Sequence, residues 1–379
     1  MRVILSGGGT GGHIYPAVSI GEEIKKQYTD AEILFIGSER GLENSIVPKE
    51  GFELKRIKVR GFERRLSFGN VAAVGESFIS LFKVSKIIKE FKPDVVIGTG
   101  GYACGSVLLA AALMGIPTLI HEQNAFPGLT NKMLSRIVDI VAVSFFEAKE
   151  YFPKNSKVVV TGNPIRSDIL DVSREEGLKE FGFLKGLPVI LVVGGSRGAK
   201  RLNESVLPLA KKCITDKSFQ MLHMTGETQY EDIIRLYNSE EIALDTGYLK
   251  VMPFIYNMPY ALAASDIVIS RCGASTLSEL TALGKPSILI PYPYATDNHQ
   301  EYNARALEKN GAAIVILERD LDADILTNEV SNMLSKNGKM EQMKAQSKKL
   351  GRTDAAYAIV KAVRELVHDK PSNTFGSSA

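Results

Sequence analysis

The sequence predicts an α/β protein built from two tandem Rossmann-like domains. Three observations carry that prediction: the length, a repeated cycle of β-branched run, glycine-rich turn and helical stretch, and a restart of the cycle midway. A chain of 379 residues exceeds the roughly 250–300 residues at which single hydrophobic cores stop growing, so two domains are expected. Short apolar runs bounded by turns and alternating with helices mark strands buried on both faces of a parallel sheet.

In the first half the expected strands are residues 3–6, 33–36, 95–97, 118–120, 141–143 and 158–161. A helix over 15–28 follows the first glycine run, and an Ala/Leu-rich helix follows the glycines at 98–101. Gly162-Asn163-Pro164 then breaks the pattern. Residues 188–193 with Gly194-Gly195-Ser196 resemble the opening of the chain, and strands are expected at 221–224, near Val251, and at 267–270, 287–290 and 313–316. The expected domains are therefore 1–163 and 164–350. A helix within 351–369 is free to return to the first domain, and the polar tail 370–379 is expected to be disordered.

Composition narrows the class. Hydrophobic residues at 45% and charged residues at 23% fit a globular chain and exclude general disorder. Lys+Arg 46 against Asp+Glu 43 leaves a net charge of +3, too balanced for a nucleic-acid protein. Cys104, Cys213 and Cys272 are far apart and form no C-x-x-C pair, so neither a disulfide framework nor a zinc site is expected. The start Met1-Arg2-Val3-Ile4-Leu5 reaches Gly7 too soon for a secretory signal. Residues 95–120 carry no charge but are interrupted by glycines. The unbroken part, 103–114, would span about 18 Å as a helix against a hydrocarbon core of about 30 Å. A soluble or peripheral protein is expected.

Gly7-Gly8-Gly9-Thr10-Gly11-Gly12 lies between a strand and a helix and fits G-x-G-x-x-G. The second strand, however, ends in Ile36-Gly37 without the acid that would hold an adenosine ribose, and Glu39 lies beyond its end. Two readings stay open: a tight βα turn, or a floor where a pyrophosphate or sugar approaches the backbone. His13 favours the floor, because an imidazole at a helix N-terminus is available as a neutral base. A capping or solvated histidine is the alternative. Gly98-Thr99-Gly100-Gly101-Tyr102 should lie on the same sheet edge, joined by His121-Glu122-Gln123-Asn124.

In the second half, Arg271-Cys272-Gly273-Ala274-Ser275-Thr276-Leu277-Ser278-Glu279 separates a strand from a helix. Small residues at a helix start offer backbone N–H groups to an anion. Thr276 and Glu279 also have capping-box spacing, so a well-capped helix without ligand is the alternative, though it leaves Gly-Ala-Ser unexplained. Gln300 and Asn303 are three apart and would share a helix face that could hold hydroxyls, while His299 is equally compatible with the surface. No G-x-x-x-x-G-K-[ST] is present, no Cys/His cluster has metal-ligand spacing, and Asp320-Leu321-Asp322-Ala323-Asp324 reads as a solvated helix start. Transfer from a nucleotide-linked donor, held by backbone and helix dipole without metal or cofactor, fits these features.

Six motifs in order carry a resemblance. They are Gly8-Gly9-Thr10-Gly11-Gly12-His13, Gly100-Gly101-Tyr102, His121-Glu122-Gln123-Asn124, Gly162-Asn163-Pro164-Ile165-Arg166, Gly194-Gly195-Ser196-Arg197-Gly198-Ala199 and the 273–279 loop. From Arg2 to Val367 the chain resembles the bacterial peptidoglycan N-acetylglucosaminyltransferases that turn lipid I into lipid II. The resemblance implies a metal-independent, inverting glycosyltransferase of the GT-B type, its two domains facing a cleft. The donor would be UDP-N-acetylglucosamine and the acceptor the 4-hydroxyl of N-acetylmuramic acid on undecaprenyl pyrophosphate. It further implies that Ile255 contacts uracil through its backbone and that Glu279 accepts the ribose hydroxyls. Ala274, Ser275, Thr276, Leu277 and Ser278 would lie along the nucleotide, with Gln300 and Asn303 on sugar hydroxyls. Ser196 and Arg166 would line the donor side; Thr10, Gly11, Gly12 and Asn124 would close over the sugar, with Gly101 and Tyr102 on the acceptor side. His299 departs from members that have glutamine there.

His13 is the candidate base on chemistry and position, and Glu122 competes with it. The rival readings are a UDP-N-acetylglucosamine 2-epimerase, a nicotinamide dehydrogenase and a non-catalytic two-lobed binding protein. A lipid-linked acceptor implies docking at the cytoplasmic face of the cell membrane. Arg60-Gly61-Phe62-Glu63-Arg64-Arg65-Leu66, with Val74, Phe78, Leu81, Phe82, Lys83, Lys86 and Lys89, is the candidate patch for an anionic surface. The alternative is that these apolar residues pack onto the first sheet.

Overall fold

The computed structural model describes residues 1–59, 68–335 and 338–369, and of residues 68–79 and Ser167 the backbone only. The chain divides into two compact units, Met1–Ile165 with the segment from Thr353, and Arg166–Arg352. Each is a parallel sheet covered by helices.

The first sheet comprises β1 (Arg2–Gly7), β2 (Glu32–Ser38), β3 (Glu53–Ile57), β4 (Val95–Gly100), β5 (Thr118–Glu122), β6 (Ile140–Val143) and β7 (Val158–Val160). Their order is β3-β2-β1-β4-β5-β6-β7. Every residue of β4, β5 and β6 is buried, which is why these segments are continuous apolar runs rather than alternating ones. At the sheet edge, β3 reads Glu-Leu-Lys-Arg-Ile and buries only Ile57. It carries no such run, and the sequence pattern passes over it.

The second sheet comprises β8 (Val189–Val193), β9 (Gln220–Met224), β10 (Leu249–Met252), β11 (Ile267–Ser270), β12 (Ser287–Leu289) and β13 (Ala313–Val315). Their order is β10-β9-β8-β11-β12-β13. In both sheets the order reverses next to the first strand, between β1 and β4 and between β8 and β11. Loops leaving the carboxyl ends diverge at such a point and leave a crevice. The glycine-rich segments after β1, β4, β8 and β11 all fall there.

The helix Ala355–Asp369 closes the first unit. Ile359, Val360, Val363 and Leu366 form a stripe at helical spacing and share a core with Ile14, Ala17 and Ile20 of the helix Gly11–Gln27. Fully burying such side chains is worth about 1.5–3 kcal/mol each, which ties the end of the chain to the element that carries His13.

A polar network lies inside the second unit. Asn203 donates its amide N–H to the Thr225 carbonyl at 2.8 Å, leaving its oxygen to accept from His223 Nε2 at 3.0 Å. His223 Nδ1 then accepts from the Tyr237 hydroxyl at 2.9 Å. All partners are satisfied with a neutral imidazole, and burial pushes its pKa down to about 3.

Candidate active site

In the first unit two glycine loops press on each other. Gly101 has φ 91°, and a Cβ there would lie 2.4 Å from the Gly8 carbonyl oxygen; only glycine fits. Gly100, at φ 112°, lies under the His13 ring, where a Cβ would come within 2.6 Å of Nδ1. The helix Gly11–Gln27 begins after Thr10 with no side-chain cap and no acid in its first turn, so no side chain caps its first-turn N–H groups. His13 is half-buried and its Nδ1 lies 3.1 Å from Gln123 Oε1. Tyr102 is exposed.

The two candidate bases differ in what surrounds them. Glu122 is buried, and both of its oxygens are occupied: Oε1 accepts from Asn124 N at 2.9 Å and Asn124 Nδ2 at 3.1 Å, Oε2 from Gly128 N at 3.1 Å and Asn131 Nδ2 at 2.8 Å. A carboxylate held by four donors shapes the loop after β5 and has no lone pair turned toward a substrate. It also orients Asn124, which is half-buried.

Sequence reasoning missed Glu43. It is fully buried and accepts from Gly9 N at 2.9 Å, Ser38 N at 3.0 Å and Ser38 Oγ at 2.5 Å. Burial alone raises its pKa, but the hydrogen bonds from Ser38 and Gly9 outweigh that and hold it below the usual carboxylate range. The acid sought at the end of β2 thus comes from the next helix, and it occupies the glycine-loop N–H that a pyrophosphate would need. A phosphate there would meet a buried carboxylate, which removes the physical basis of a dinucleotide site in this loop. The signal available was only an acid some five residues past the strand, too common a feature to single out.

In the second unit the helix Ala274–Leu283 starts directly at Ala274, with Gly273 as N-cap and no side-chain cap. The alternative reading, a Thr276–Glu279 capping box, is not formed, because Thr276 already lies inside the first turn. The first-turn N–H groups are left to an external acceptor. Ser275 Oγ is buried with no hydrogen-bond partner among the described residues. Ser278 Oγ donates back to the Ala274 carbonyl at 2.9 Å, and Leu277 is buried in the core. Glu279 stands 3.9 Å from Arg166 Nε, with its side chain 16% exposed. Burial pushes its carboxyl up to about 7, Arg166 opposes this, and Asp168 adds to it.

The remaining second-unit candidates divide. Ser196 is exposed on the loop after β8. Gln300 uses its oxygen to accept from Cys272 N at 3.1 Å and Tyr292 N at 3.0 Å, pinning two loops together; only its amide nitrogen is left for a sugar hydroxyl. Asn303 is wholly buried and donates to the Cys272 carbonyl at 3.2 Å, so its amide nitrogen supports that loop. Ile255 is buried, and its N–H donates to Met224 Sδ at 3.4 Å, which leaves its carbonyl as the backbone group for a base. His299, half-buried, donates to the Thr296 carbonyl. Among the described residues no group of three or more His, Cys, Asp or Glu could hold a metal ion.

Arg60 to Leu66 lie outside the described residues, as do the side chains of Val74 and Phe78 and the tail 370–379. Leu81 is half-buried, while Phe82 is 78% exposed beside exposed Lys83, Lys86 and Lys89. No described helix is long and apolar enough to cross a membrane.

The buried histidines make stability depend on pH. His121, fully buried, is pushed down to about 4 by burial, with the Gly162 carbonyl opposing and His13 adding. Unfolded histidine takes up its proton near 6.5, so below that pH the unfolded chain binds more protons than the folded one. Stability should fall as pH drops below 6.5 and keep falling toward 4 for His121 and 3 for His223. At pH 5 this amounts to roughly 2 kcal/mol for each histidine. Urea midpoints measured at pH 7.5 and 5 check it, and equal midpoints would refute it.

Comparisons with known proteins agree with this architecture. Residues 3–143 match the glycosyltransferase family 28 N-terminal domain and residues 189–359 its C-terminal domain. A protein of Caldanaerobacter subterraneus subsp. tengcongensis is 52% identical over 97% of this chain and 100% of its own length. One from Listeria monocytogenes is 49% identical over 97% and 100%. Both are described as UDP-N-acetylglucosamine--N-acetylmuramyl-(pentapeptide) pyrophosphoryl-undecaprenol N-acetylglucosamine transferase. The crystal structure of Acinetobacter baumannii MurG superposes with a TM-score of 0.77 at 30% identity, covering 96% of this chain and 99% of that one. A UDP-GlcNAc 2-epimerase from Neisseria meningitidis shares the fold, with a TM-score of 0.69 at 17% identity over 96% and 100%.

Proposed function

The chain belongs to glycosyltransferase family 28, and from that premise we propose how its residues carry the reaction. It is an N-acetylglucosaminyltransferase that moves N-acetylglucosamine from UDP-N-acetylglucosamine to lipid I, giving lipid II for peptidoglycan. The observation that carries this is 52% identity over 97% of the chain with a relative bearing that activity in its name.

The transfer is read as a single inverting displacement at the anomeric carbon, without metal. His13 takes the proton of the acceptor 4-hydroxyl through Nε2, since Nδ1 faces Gln123. Leaving UDP is stabilised by the open N-terminus of the helix Ala274–Leu283 and by Ser275 Oγ. Glu279 accepts the ribose hydroxyls, Arg166 and Ser196 line the donor, the Ile255 carbonyl meets uracil, and Gln300 Nε2 meets a sugar hydroxyl. Thr10, Gly11, Gly12 and Asn124 are assigned to the transferred sugar, Gly101 and Tyr102 to the acceptor. Donor turnover with and without a lipid I analogue, in excess EDTA, tests the reading. Release of UDP that depends on the acceptor supports it. Acceptor-independent conversion of the donor would instead make the protein an epimerase, a reading supported by fold likeness alone.

Glu279→Gln should weaken donor binding by about 1.5–3 kcal/mol, roughly 10- to 150-fold, because a hydrogen-bonded carboxylate is lost. With the carboxyl near 7, the wild-type donor KM should rise as pH falls through 7, where the acceptor lone pairs become protonated. The variant should lose that dependence. Isothermal titration with UDP across pH 6–8.5 reads both effects, and unchanged affinity in the variant would remove Glu279 from the site.

We place the enzyme peripherally at the cytoplasmic face of the cell membrane, on an anionic surface, because the acceptor is lipid-linked. Exposed Phe82 with Lys83 and Lys89 supports this. Each basic residue near such a surface is worth about 1 kcal/mol. Replacing Arg60, Arg64, Arg65, Lys83 and Lys89 with glutamine should abolish co-sedimentation with phosphatidylglycerol vesicles while UDP affinity holds. Retained, salt-insensitive binding would put the docking surface elsewhere.

A further inference from the structure

We propose that Gln123 is a positioning residue that determines which ring nitrogen of His13 carries the proton. The proposal rests on the reading of His13 as general base and deepens it. The orientation of the Gln123 amide follows from its partners. Its Nε2 lies 2.7 Å from the Thr99 carbonyl oxygen, a group that can only accept, so the amide nitrogen must face it. The flipped amide would set two oxygens against each other at that distance.

The same nitrogen lies 3.0 Å from His121 Nδ1, so that ring nitrogen accepts. His121 Nε2 is then the protonated one, and it donates to the Gly162 carbonyl at 3.0 Å. Both N–H bonds of Gln123 and both ring nitrogens of His121 are satisfied with one polarity and no charge. Burial of His121 and Gln123, at 0% and 2% exposure, shields this run of hydrogen bonds from water.

What remains is Gln123 Oε1, 3.1 Å from His13 Nδ1. An amide oxygen only accepts, so Nδ1 carries the hydrogen and Nε2 keeps its lone pair. The ring lies over Gly100, and Thr99 Oγ1, which donates to the His13 carbonyl at 2.6 Å, holds the backbone that carries it. Without Gln123 a neutral imidazole is free to protonate Nε2, the nitrogen that must act as base. A triad aspartate performs the same service for its histidine, and losing the correct tautomer there is costly even when geometry survives. Here a neutral amide does so, and after proton transfer the imidazolium still donates from Nδ1 to Oε1.

Nitrogen-15 NMR of histidine-labelled protein tests this. The chain has five histidines, and the His13 signals are identified by their loss in His13→Ala. At about pH 9, well above the ordinary imidazole range, wild type should show Nδ1 protonated and Nε2 bare; the opposite tautomer overturns the proposal without any variant at Gln123. Gln123→Met should show mixed tautomers and a kcat reduced roughly 10- to 100-fold, less than loss of the base itself, with donor KM unchanged. Gln123→Glu, protonated on the oxygen that faces the Thr99 carbonyl, keeps an acceptor oxygen toward His13 Nδ1 and should restore the Nδ1–H tautomer and most of that kcat. Equal losses in both variants, with the wild-type tautomer retained in Gln123→Met, would reduce Gln123 to a packing role. The expected tautomer combined with normal turnover in His13→Ala would sustain the tautomer assignment and sink only the base reading.

Discussion

His13→Ala should lower kcat by roughly 100- to 10,000-fold while UDP affinity and thermal stability stay near wild type, the range general-base removal spans. The contacts that place His13 explain why the effect should be confined to chemistry. Its backbone is held by Thr10 and by Thr99 Oγ1, and the glycine loops beneath are held by Glu43 and by Gly8 N donating to the Gly100 carbonyl. None of these involves the imidazole. The ring's own hydrogen bond runs to Gln123, whose other partners remain. Because the interaction is made in the transition state, kcat and kcat/KM should fall together. Steady-state turnover of a lipid I analogue, with a UDP titration on the same preparation, provides the check. Near-normal turnover would remove His13 from the chemistry.

The fold was legible because parallel strands buried on both faces leave an apolar run with no polar alternation, and the runs at β1, β4, β8 and β11 lead into glycines. That signal found β4, β5, β8 and β11 and, from their loops, the crevice edge of each sheet. It failed at β3, where an edge position lets Glu53, Lys55 and Arg56 stand outward. The alternative of a capping box at Thr276 and Glu279 is not realised, for a local reason. Capping-box spacing is a local pattern, and the chain had already turned helical at Ala274.

The candidate site was legible by residue type and less so by role. Four polar residues after an apolar strand announced 121–124, but not that His121 and Gln123 are buried supports and that Glu122 is saturated by four donors. Those facts depend on Thr99, Gly128, Asn131 and Gly162, which converge only when the sheet is formed. Asn303 is a related case. Helical spacing put it beside Gln300, but spacing cannot say which of two neighbours faces solvent, and Asn303 turns inward to Cys272. Glu43 was hidden because its partners, Gly9 and Ser38, lie on different strand ends.

Glu122→Gln should destabilise the first unit by about 2–6 kcal/mol, although the two side chains are nearly the same shape. Both carboxylate oxygens accept two N–H groups each, from Asn124 on one side and from Gly128 and Asn131 on the other. An amide offers one oxygen, so whichever way it turns, its NH2 confronts two donors. Each donor left unpaired in a buried place costs about 1–3 kcal/mol, a large part of the roughly 5–15 kcal/mol that holds a domain together. Activity should fall too, since Asn124 loses the group that orients it. This pattern is the reverse of the one a catalytic base would give. Were Glu122 the base, the amide would keep the fold and abolish turnover, and His13→Ala would leave turnover largely intact. Urea midpoints and turnover measured side by side on the two variants separate the roles. A stable, inactive Glu122→Gln would overturn the assignment of this carboxylate to structure and transfer the proton to it.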